Sequence, residues 1–380
     1  MKTSSGAVAT HPTSYSFALT TFQKLLEKTP ATENLCYSPF GLQLVLSLMQ
    51  DLLPAEARES FLKVFEYGWD SPAENMRALH RIRRVYADEP AIKVLNSLWL
   101  RDPQQFTSSA REKFIEEYGC ELFNGDFGPS TVRELNGWVE RNTAGRISGI
   151  VSDLSLDLLL ALNVIYFCGR WLKPFEESLT EIQWFTLADG SKVQHPRMQM
   201  DRGFAYHEDS ECQAVSLNYG GSPLGQSRFA MVVVLPKGSD LPAVLRDPSG
   251  RTLREDFVPR PGHLEWPRFT FKCDPRLTFE MLGLPSSLRI DRASVTATLR
   301  DEVPVSMKQR VWIRVDEVGT EAAAVTGVMV MSAVGNYKPP KPFRMIVDRP
   351  FYFLIMDNFT RVVVFMGRVA NPASPSWGEH

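Results

Sequence analysis

The sequence holds few groups of residues whose types and spacing could carry out chemistry. Residues 220–225 (GGSPLG) come near the nucleophile-elbow pattern, which needs a glycine two positions to either side of the serine, but Leu224 occupies the second glycine position. His207-Glu208-Asp209 offers three metal-ligating side chains in a row, a run that is more typical of a solvated turn. HExxH, GxGxxG and P-loop patterns do not occur. We therefore expect no catalytic residues, no metal and no cofactor, and the sequence does not predict an enzyme.

One predicted helix carries a cationic face that could bind a polyanion. Arg77, His80, Arg81 and Arg84 follow one another at i, i+3, i+4 and i+7, which places them on one side of the helix. Pooled positive charge attracts heparin-like polyanions, although a solvated basic surface is the simpler interpretation. The net charge of −2 gives no indication of a nucleic-acid partner. No apolar run approaches the roughly 18 residues that span a bilayer, so a membrane partner is not expected either.

A segment near the C-terminus, residues 311–350, has an unusual composition. It begins with the alternation of a half-buried strand, in which Val311, Ile313 and Val315 are the apolar positions. A run of small and mostly uncharged residues follows, and prolines at 339, 340 and 342 then stiffen the chain. Flexible linkers are polar and rich in glycine and serine, whereas this segment could pair within a sheet. An exposed segment of this kind is an aggregation hazard, which indicates that the protein uses it.

Four blocks of the sequence resemble the serpin family. Residues 316–324 (DEVGTEAAA) resemble the hinge of its reactive-centre loop, and residues 163–175 (NVIYFCGRWLKPF) resemble its central asparagine–tryptophan segment. Residues 348–355 and 364–369 resemble its C-terminal strands, and Ser38-Pro39-Phe40 resembles the start of its second helix. The blocks stand in the family's order, and the resemblance extends from about residue 15 to residue 372.

The resemblance implies one α+β domain over residues 1–380, with three β-sheets, about nine helices and an exposed reactive-centre loop at about 317–342. Helices dominate the first 150 residues and strands the remainder, which agrees with the α+β class. The predicted helices cover 15–28, 40–52, 56–65, 77–86, 108–118 and 131–143, and the predicted strands cover 92–100, 160–167, 230–235, 264–271 and 295–299. We expect residues 259–262 to form a surface loop, because they contain two prolines and a glycine.

The resemblance also implies a monomeric suicide inhibitor of serine proteases. The target protease attacks the exposed loop and forms a covalent acyl-enzyme. The cleaved loop then inserts into the main sheet, a form of strand addition known for serpins. The small side chains of the hinge suit insertion, since alternate residues must enter the core; the hinge residues are Glu317, Gly319, Thr320, Glu321, Ala322, Ala323 and Ala324. Two alternatives stay open, a non-inhibitory carrier or chaperone and a cross-class inhibitor of cysteine proteases.

The reactive bond can be placed by counting along the loop. In the family the hinge glutamate is the seventeenth residue before the bond, and counting from Glu317 gives Ala333–Val334. A small residue there favours an elastase-like protease. Tyr337–Lys338, which would suit a chymotrypsin-like protease, and Met331–Ser332 remain alternatives. Trypsin-like targets are disfavoured, because each lysine near this point precedes a proline.

Three positions match residues that control how the family's sheet opens. Trp171 matches the tryptophan near which the loop enters, and Ser38 and Asn163 match polar residues beneath the centre of the sheet. Two positions depart from the family. Gln309 stands where a sheet-opening histidine is usual, and Gly41 replaces a serine. We expect the polar network to be rewired through a bond from Gln309 to Asn163.

The five cysteines are widely scattered, and an odd number cannot all pair. We predict free and mostly buried thiols, which leave the cellular compartment open. The sequon Asn358-Phe359-Thr360 slightly favours a secreted protein whose signal peptide has been removed over a cytoplasmic one.

Overall fold

The computed structural model describes residues 13–54, 58, 72–101, 106–155, 158–220, 227–275, 280–282, 284, 287–289, 302–319 and 340–374. Nearly all of the predicted helix at 56–65, the predicted strand at 295–299 and the hinge and reactive-loop positions from Thr320 onward lie outside these residues.

The described residues form seven α-helices and fifteen strands. The helices are α1 Thr13–Lys28, α2 Pro39–Gln50, α3 Pro72–Ala87, α4 Ser108–Glu116, α5 Pro129–Asn142, α6 Ala243–Arg246 and α7 Arg251–Glu255. The strands are β1 Leu35–Tyr37, β2 Ile92–Arg101, β3 Cys120–Gly125, β4 Leu159–Phe167, β5 Glu181–Thr186, β6 Lys192–Glu208, β7 Cys212–Asn218, β8 Phe229–Pro236, β9 Val258–Pro267, β10 Phe269–Cys273, β11 Ser287–Arg289, β12 Glu302–Val315, β13 Phe343–Ile346, β14 Phe351–Asp357 and β15 Val363–Val369. None of the described helices combines the length and the apolar character that a membrane crossing requires.

The main sheet runs in the order β10-β12-β4-β2-β3, with β11 paired to the far end of β12. β4 is flanked by two strands of opposite direction, since it runs antiparallel to β2 and parallel to β12. Both of its edges are therefore paired, and every residue of β4 but the half-buried Tyr166 is buried, which explains its nearly continuous apolar sequence.

The other nine strands form a path in which β6 belongs to two sheets. The first part of this 17-residue strand pairs with β5 and β9, and its last residues pair with β7. One sheet therefore contains β5, β6, β9 and β13, and the other contains β7, β8, β14, β15 and β1. Together with the main sheet they make the three sheets of the predicted α+β fold.

The main sheet separates two parts of the hydrophobic core. On β12 the odd-numbered residues, among them Val311 and Ile313, lie on the back of the sheet, the face that packs against α2 and against strands β7, β8, β14 and β15. Trp312 lies on the front, where it shares a core with α5 and residues 147–154. α2 itself is buried along its whole length. Ser38 caps it by accepting a hydrogen bond from Gly41 N at 3.0 Å.

Two sequence-based boundaries are wrong. The predicted strand at 264–271 is the end of β9 and the start of β10, which lie in different sheets and are separated by Arg268. The predicted loop at 259–262 is part of β9. Pairing of β9 with β13 begins only at Gly262, so the two prolines lie where one side of the strand has no partner strand among the described residues. Proline is tolerated at such an edge.

Candidate functional site: the β4–β12 junction and the base of the loop

The junction between β4 and β12 is closed. The two strands pair directly in parallel, from Leu159 opposite Val305 to Phe167 opposite Ile313. The loop leaves β12 at its C-terminal end, so a loop that folds back onto the sheet runs antiparallel to β12 and to β4. A strand of that direction could pair with both, and it would replace one parallel ladder by two antiparallel ladders.

A buried polar network joins the two strands at the middle of this junction. Gln309 and Asn163 are register partners, and Gln309 Nε2 donates to Asn163 Oδ1 at 3.1 Å. The bond expected from the sequence is therefore present. Gln309 also exchanges two bonds with the backbone of Ser38, donating to its carbonyl at 2.9 Å and accepting from its N–H at 2.8 Å. Asn163 Nδ2 donates to Asn96 Oδ1 at 2.9 Å, which extends the network to β2.

Gly41 makes room for this network. A Cβ at this position would collide with Asn163 Oδ1 and would lie 3.0 Å from Gln309 Nε2. The two departures from the family pattern, Gly41 and Gln309, are therefore a matched pair. The glutamine amide reaches Asn163 through space that a side chain at position 41 would fill.

Trp171 holds the residues that follow the C-terminal end of β12, at one end of the junction. Its indole Nε1 donates to Asp316 O at 2.9 Å, and its backbone N–H donates to Val318 O at 2.9 Å. The indole is only 3% exposed and stacks on Tyr219, with the ring centroids 4.4 Å apart. The residues that begin the loop are thus held against a rigid aromatic platform.

Glu317 is a buried carboxylate at the base of the loop. Its Oε1 accepts a hydrogen bond from Arg268 Nε at 2.7 Å and a second from the Thr180 hydroxyl. Its backbone carbonyl accepts from Phe175 N at 2.8 Å. Glu317 is 4% exposed, whereas the Arg268 side chain is 36% exposed, so the cation retains solvent that the carboxylate lacks. Sequence reasoning placed Glu317 here but missed Arg268 and Thr180, since the chain separates them by 49 and 137 positions.

Gly319 needs to be glycine for two reasons. Its φ is +140°, a backbone conformation that other residues rarely adopt. A Cβ would also collide with the carbonyl oxygen of Gly169 and lie 2.5 Å from Arg170 Cα. The loop therefore leaves the sheet by passing closely over the backbone of residues 169–171.

Several sequence-predicted positions lie outside the described residues. They comprise the hinge residues Thr320, Glu321, Ala322, Ala323 and Ala324 and the three candidate reactive bonds Ala333–Val334, Tyr337–Lys338 and Met331–Ser332.

The predicted cationic face of α3 is exposed only in part. Arg77, Arg81 and Arg84 are exposed, but His80 turns inward. Its Nε2 lies 3.2 Å from Ser47 Oγ, and its ring packs edge-on against Tyr118 at 4.5 Å. Burial, followed by Arg83 and Arg84, lowers the pKa of His80 to about 4. The face therefore consists of arginines, and a neutral His80 belongs to the interface with α2.

The turn between β6 and β7 brings His207, Asp209 and Cys212 within 4.8 Å of one another. Asp209 Oδ1 accepts from the backbone N–H groups of Glu211 and Cys212 at 2.7 and 2.8 Å. Burial, followed by Asp209, raises the pKa of the Cys212 thiol to about 12, which makes it a protonated hydrogen-bond donor at neutral pH. None of the five cysteines, which all lie among the described residues, forms a disulfide, and all but Cys168 are buried, as predicted.

Comparison with known proteins agrees with this architecture. The sequence profile described as "Serpin (serine protease inhibitor)" matches residues 12–372, so the chain belongs to the serpin family. An uncharacterised serpin-like protein of Thermococcus kodakarensis is 29% identical over 93% of this chain and 84% of its own. Plasminogen activator inhibitor 1 of Mus musculus is 25% identical over 94% of this chain and 91% of its own.

Solved structures of low identity share the fold. Arabidopsis AtSerpin1 in its native stressed conformation has a TM-score of 0.80 at 23% identity, covering 96% of this chain and 98% of its own. Native protease nexin-1 with heparin has a TM-score of 0.75 at 24% identity, covering 95% and 98%. Human thyroxine-binding globulin complexed with thyroxine has a TM-score of 0.81 at 21% identity, covering 96% of this chain and 98% of its own. Serpins are generally protease inhibitors rather than catalysts, and some are not inhibitory.

Proposed function

We propose that this serpin inhibits serine endopeptidases as a suicide substrate. The observation that carries the proposal is the closed parallel junction of β4 and β12, directly beside the point where the loop leaves the sheet. The junction offers a position for one further strand. The segment that would fill it is joined to β12 through Gly319.

The covalent step uses the chemistry of the target. The protease serine attacks the carbonyl carbon of the residue before the reactive bond, and the peptide C–N bond breaks. The new amine takes its proton from the protease histidine and leaves with the C-terminal part of the loop. The N-terminal part stays bound to the protease as an ester. Water would complete hydrolysis unless the ester is carried away first.

Insertion of the freed arm would remove the ester from productive geometry. Thr320, Ala322 and Ala324 fall on one face of such a strand, and all are small and uncharged. A charge on this face would be buried at a cost of several kcal/mol. Each inserted residue gains ladder hydrogen bonds on both sides, so insertion is favoured once cleavage has released the arm.

The target that we propose is an elastase-like protease cleaving Ala333–Val334. Incubation with a panel of serine proteases should give an SDS-resistant complex with elastase. Mass spectrometry of the released C-terminal peptide reads the bond directly, because the peptide begins at Val334, Lys338 or Ser332 for the three candidates. A peptide beginning elsewhere would refute all three placements.

The variant Thr320→Arg separates trapping from cleavage. An arginine on the inward face should block insertion, so the loop is cut at the same bond and rate but no stable complex remains. A Thr320→Arg protein that still traps the protease would contradict the insertion mechanism.

Two outcomes with the wild type would favour the alternative functions. Covalent complexes with cysteine proteases alone would favour the cross-class inhibitor. Cleavage of the wild type without any complex would favour a carrier or chaperone.

A heparin-like polyanion is a second proposed partner, bound by the exposed arginines Arg77, Arg81 and Arg84 of α3. The fold neighbour with heparin makes this ligand a reasonable probe. Arg81→Glu should elute earlier from a heparin column than the wild type, and Arg251→Glu, at an exposed position of helix α7, should elute close to the wild type. Equal elution of Arg81→Glu and Arg251→Glu would count against a site on α3.

A further inference from the structure

We infer that Arg146 and Arg310 clamp the β4–β12 junction from the front of the sheet and set the rate at which the sheet admits the loop. The inference rests on the proposed function, because it concerns the opening that the trapping mechanism needs. Both arginines lie outside the hinge and the polar network described above. They connect the junction to the segment after α5, residues 143–154, here called the connector.

Arg146 lies over a pair of rings that belong to different strands. Its guanidinium carbon is 5.3 Å from the centre of the Tyr166 ring on β4 and 5.8 Å from the centre of the Trp312 ring on β12. Tyr166 and Trp312 are register partners directly across the junction. Both distances are within the roughly 6 Å over which a guanidinium is attracted to an aromatic face. One cation of the connector therefore holds both strands.

Insertion would end this arrangement. Neighbouring strands lie about 4.8 Å apart, and a strand between β4 and β12 would double the separation. The two rings would then be too far apart for one guanidinium to remain over both faces. Arg146 would stay over at most one of the two rings, so opening the sheet costs the contact with the other ring.

Arg310 ties the connector to β12 by a different interaction. Its Nη2 donates to the carbonyl oxygen of Ile150 at 2.6 Å, and the residue is only 4% exposed. Its Nη1 pairs with Asp274 at 2.5 Å, just beyond β10. β10 pairs with β12 on the side away from β4, so Asp274 can move with β12 and keep its ion pair with Arg310. Ile150 belongs to the connector, so its hydrogen bond with Arg310 cannot follow that movement.

The connector packs mainly against β4, the strand across the junction from β12. Ile147, Ile150 and Leu154 share a core with Leu160, Leu162 and Val164 of β4, whereas β12 contributes Trp312 alone to that cluster. Separation of the strands therefore pulls β12 away from a connector that stays with β4. The Arg310–Ile150 hydrogen bond and one of the two contacts between Arg146 and a ring must therefore break before the loop can enter between β4 and β12.

Two charge-removing variants test the clamp. In Arg146→Gln and Arg310→Met the uncleaved protein should take up a synthetic peptide of residues 320–333 about three to ten times faster than the wild type, as expected for the loss of one contact of this strength. Uptake is followed on native gels, without any protease. The rate of loop cleavage by elastase should not change, whereas a general loss of structure would alter both rates. Arg141→Gln, at an exposed position of α5, is the matched control and should behave as the wild type.

Arg146→Lys keeps a cation over the rings and should stay within about twofold of the wild type, which keeps the test sound even if Arg146→Gln folds poorly. Uptake by Arg146→Gln and Arg310→Met at the rate of Arg141→Gln would overturn the clamp and leave the inhibitor proposal standing. A wild-type protein that takes up no peptide, and traps no protease, would overturn both.

Discussion

At the scale of single residues, Gly41 is a tightly constrained position under the sheet, because it has no room for a side chain. Gly41 faces the amide pair formed by Gln309 and Asn163, and the space for a Cβ is already occupied by Asn163 Oδ1. A family member with another residue here must place its polar groups differently. The identity of residue 309 and that of residue 41 are therefore coupled.

We expect Gly41→Ser to destabilise the uncleaved protein by about 1–3 kcal/mol, the usual cost of overpacking a tight core. The collision forces Asn163 away from Gln309. Gly203→Ala is the matched control, because a Cβ there meets nothing within 4 Å. Thermal unfolding checks both variants. In the background of Asn163→Ala the penalty of Gly41→Ser should shrink by at least half, and full additivity would contradict the proposed coupling.

His80 gives the protein a specific pH dependence. It is neutral in the fold because its pKa is lowered to about 4, whereas an unfolded histidine titrates near 6.5. A lowered histidine pKa means that the unfolded chain binds the proton more tightly. The stabilisation is therefore present above pH 6.5 and is lost as the pH falls from 6.5 towards 4.

Between pH 7 and pH 5 this linkage should remove about 2 kcal/mol of stability. The measurement is the free energy of unfolding by urea at the two pH values. His80→Gln should lose less over the same interval, because the amide does not titrate. His263→Gln, at a partly exposed surface site, serves as a comparison. An identical pH dependence in wild type and His80→Gln would show that other groups are responsible.

At the scale of elements, the base of the loop depends on an unequal ion pair. Glu317 is buried, and Arg268, at the break between β9 and β10, keeps over a third of its side chain in water. Removing the cation leaves a buried carboxylate whose remaining side-chain donor, within the described part of the chain, is Thr180. Removing the carboxylate leaves an arginine that water can solvate.

We therefore expect Arg268→Met to destabilise the uncleaved protein by about 3 kcal/mol and Glu317→Gln by about 1 kcal/mol. Thermal melts of the two variants and of the double variant give the coupling energy. Arg197→Met, which breaks an ion pair with Glu265 on the neighbouring sheet, is the control for the loss of any arginine there. Equal costs for Arg268→Met and Glu317→Gln would contradict the asymmetry.

Elements with strong local signals could be predicted from the sequence. The apolar stripe of α1 and the apolar runs of β4 and β8 give close to their observed bounds. β5 and β6 have no such signal, because both are partly exposed and mix polar with apolar residues. The prolines of β9 predict a loop at 259–262, although these residues lie in the strand. Gln309 and Asn163 could be paired through the family resemblance, but the partners of Glu317 and the clamp of Arg146 depend on contacts that only the folded chain creates.

At the scale of the whole molecule, the proposed mechanism requires that the observed fold is not the most stable arrangement of the cleaved chain. In the present arrangement β4 and β12 share one parallel ladder of nine residue pairs. An inserted strand would be bonded on both sides, and its alternate side chains would be buried. For a chain of 380 residues, a gain on the order of 10 kcal/mol would raise the unfolding midpoint by roughly 12 °C.

Nicking the loop between residues 324 and 339 should therefore raise the melting temperature by about 10 °C or more. A metalloprotease is the suitable reagent, because it hydrolyses the bond with an activated water and is not trapped as an ester. Nicked Thr320→Arg is the decisive control, since it has the same cut chain but an arginine on the inward face. If its melting temperature stays low while that of the nicked wild type rises, the gain comes from insertion and not from relief of the closed loop. A nicked wild type that melts at its original temperature would mean that β4 and β12 never separate, and the inhibitor proposal would fall with it.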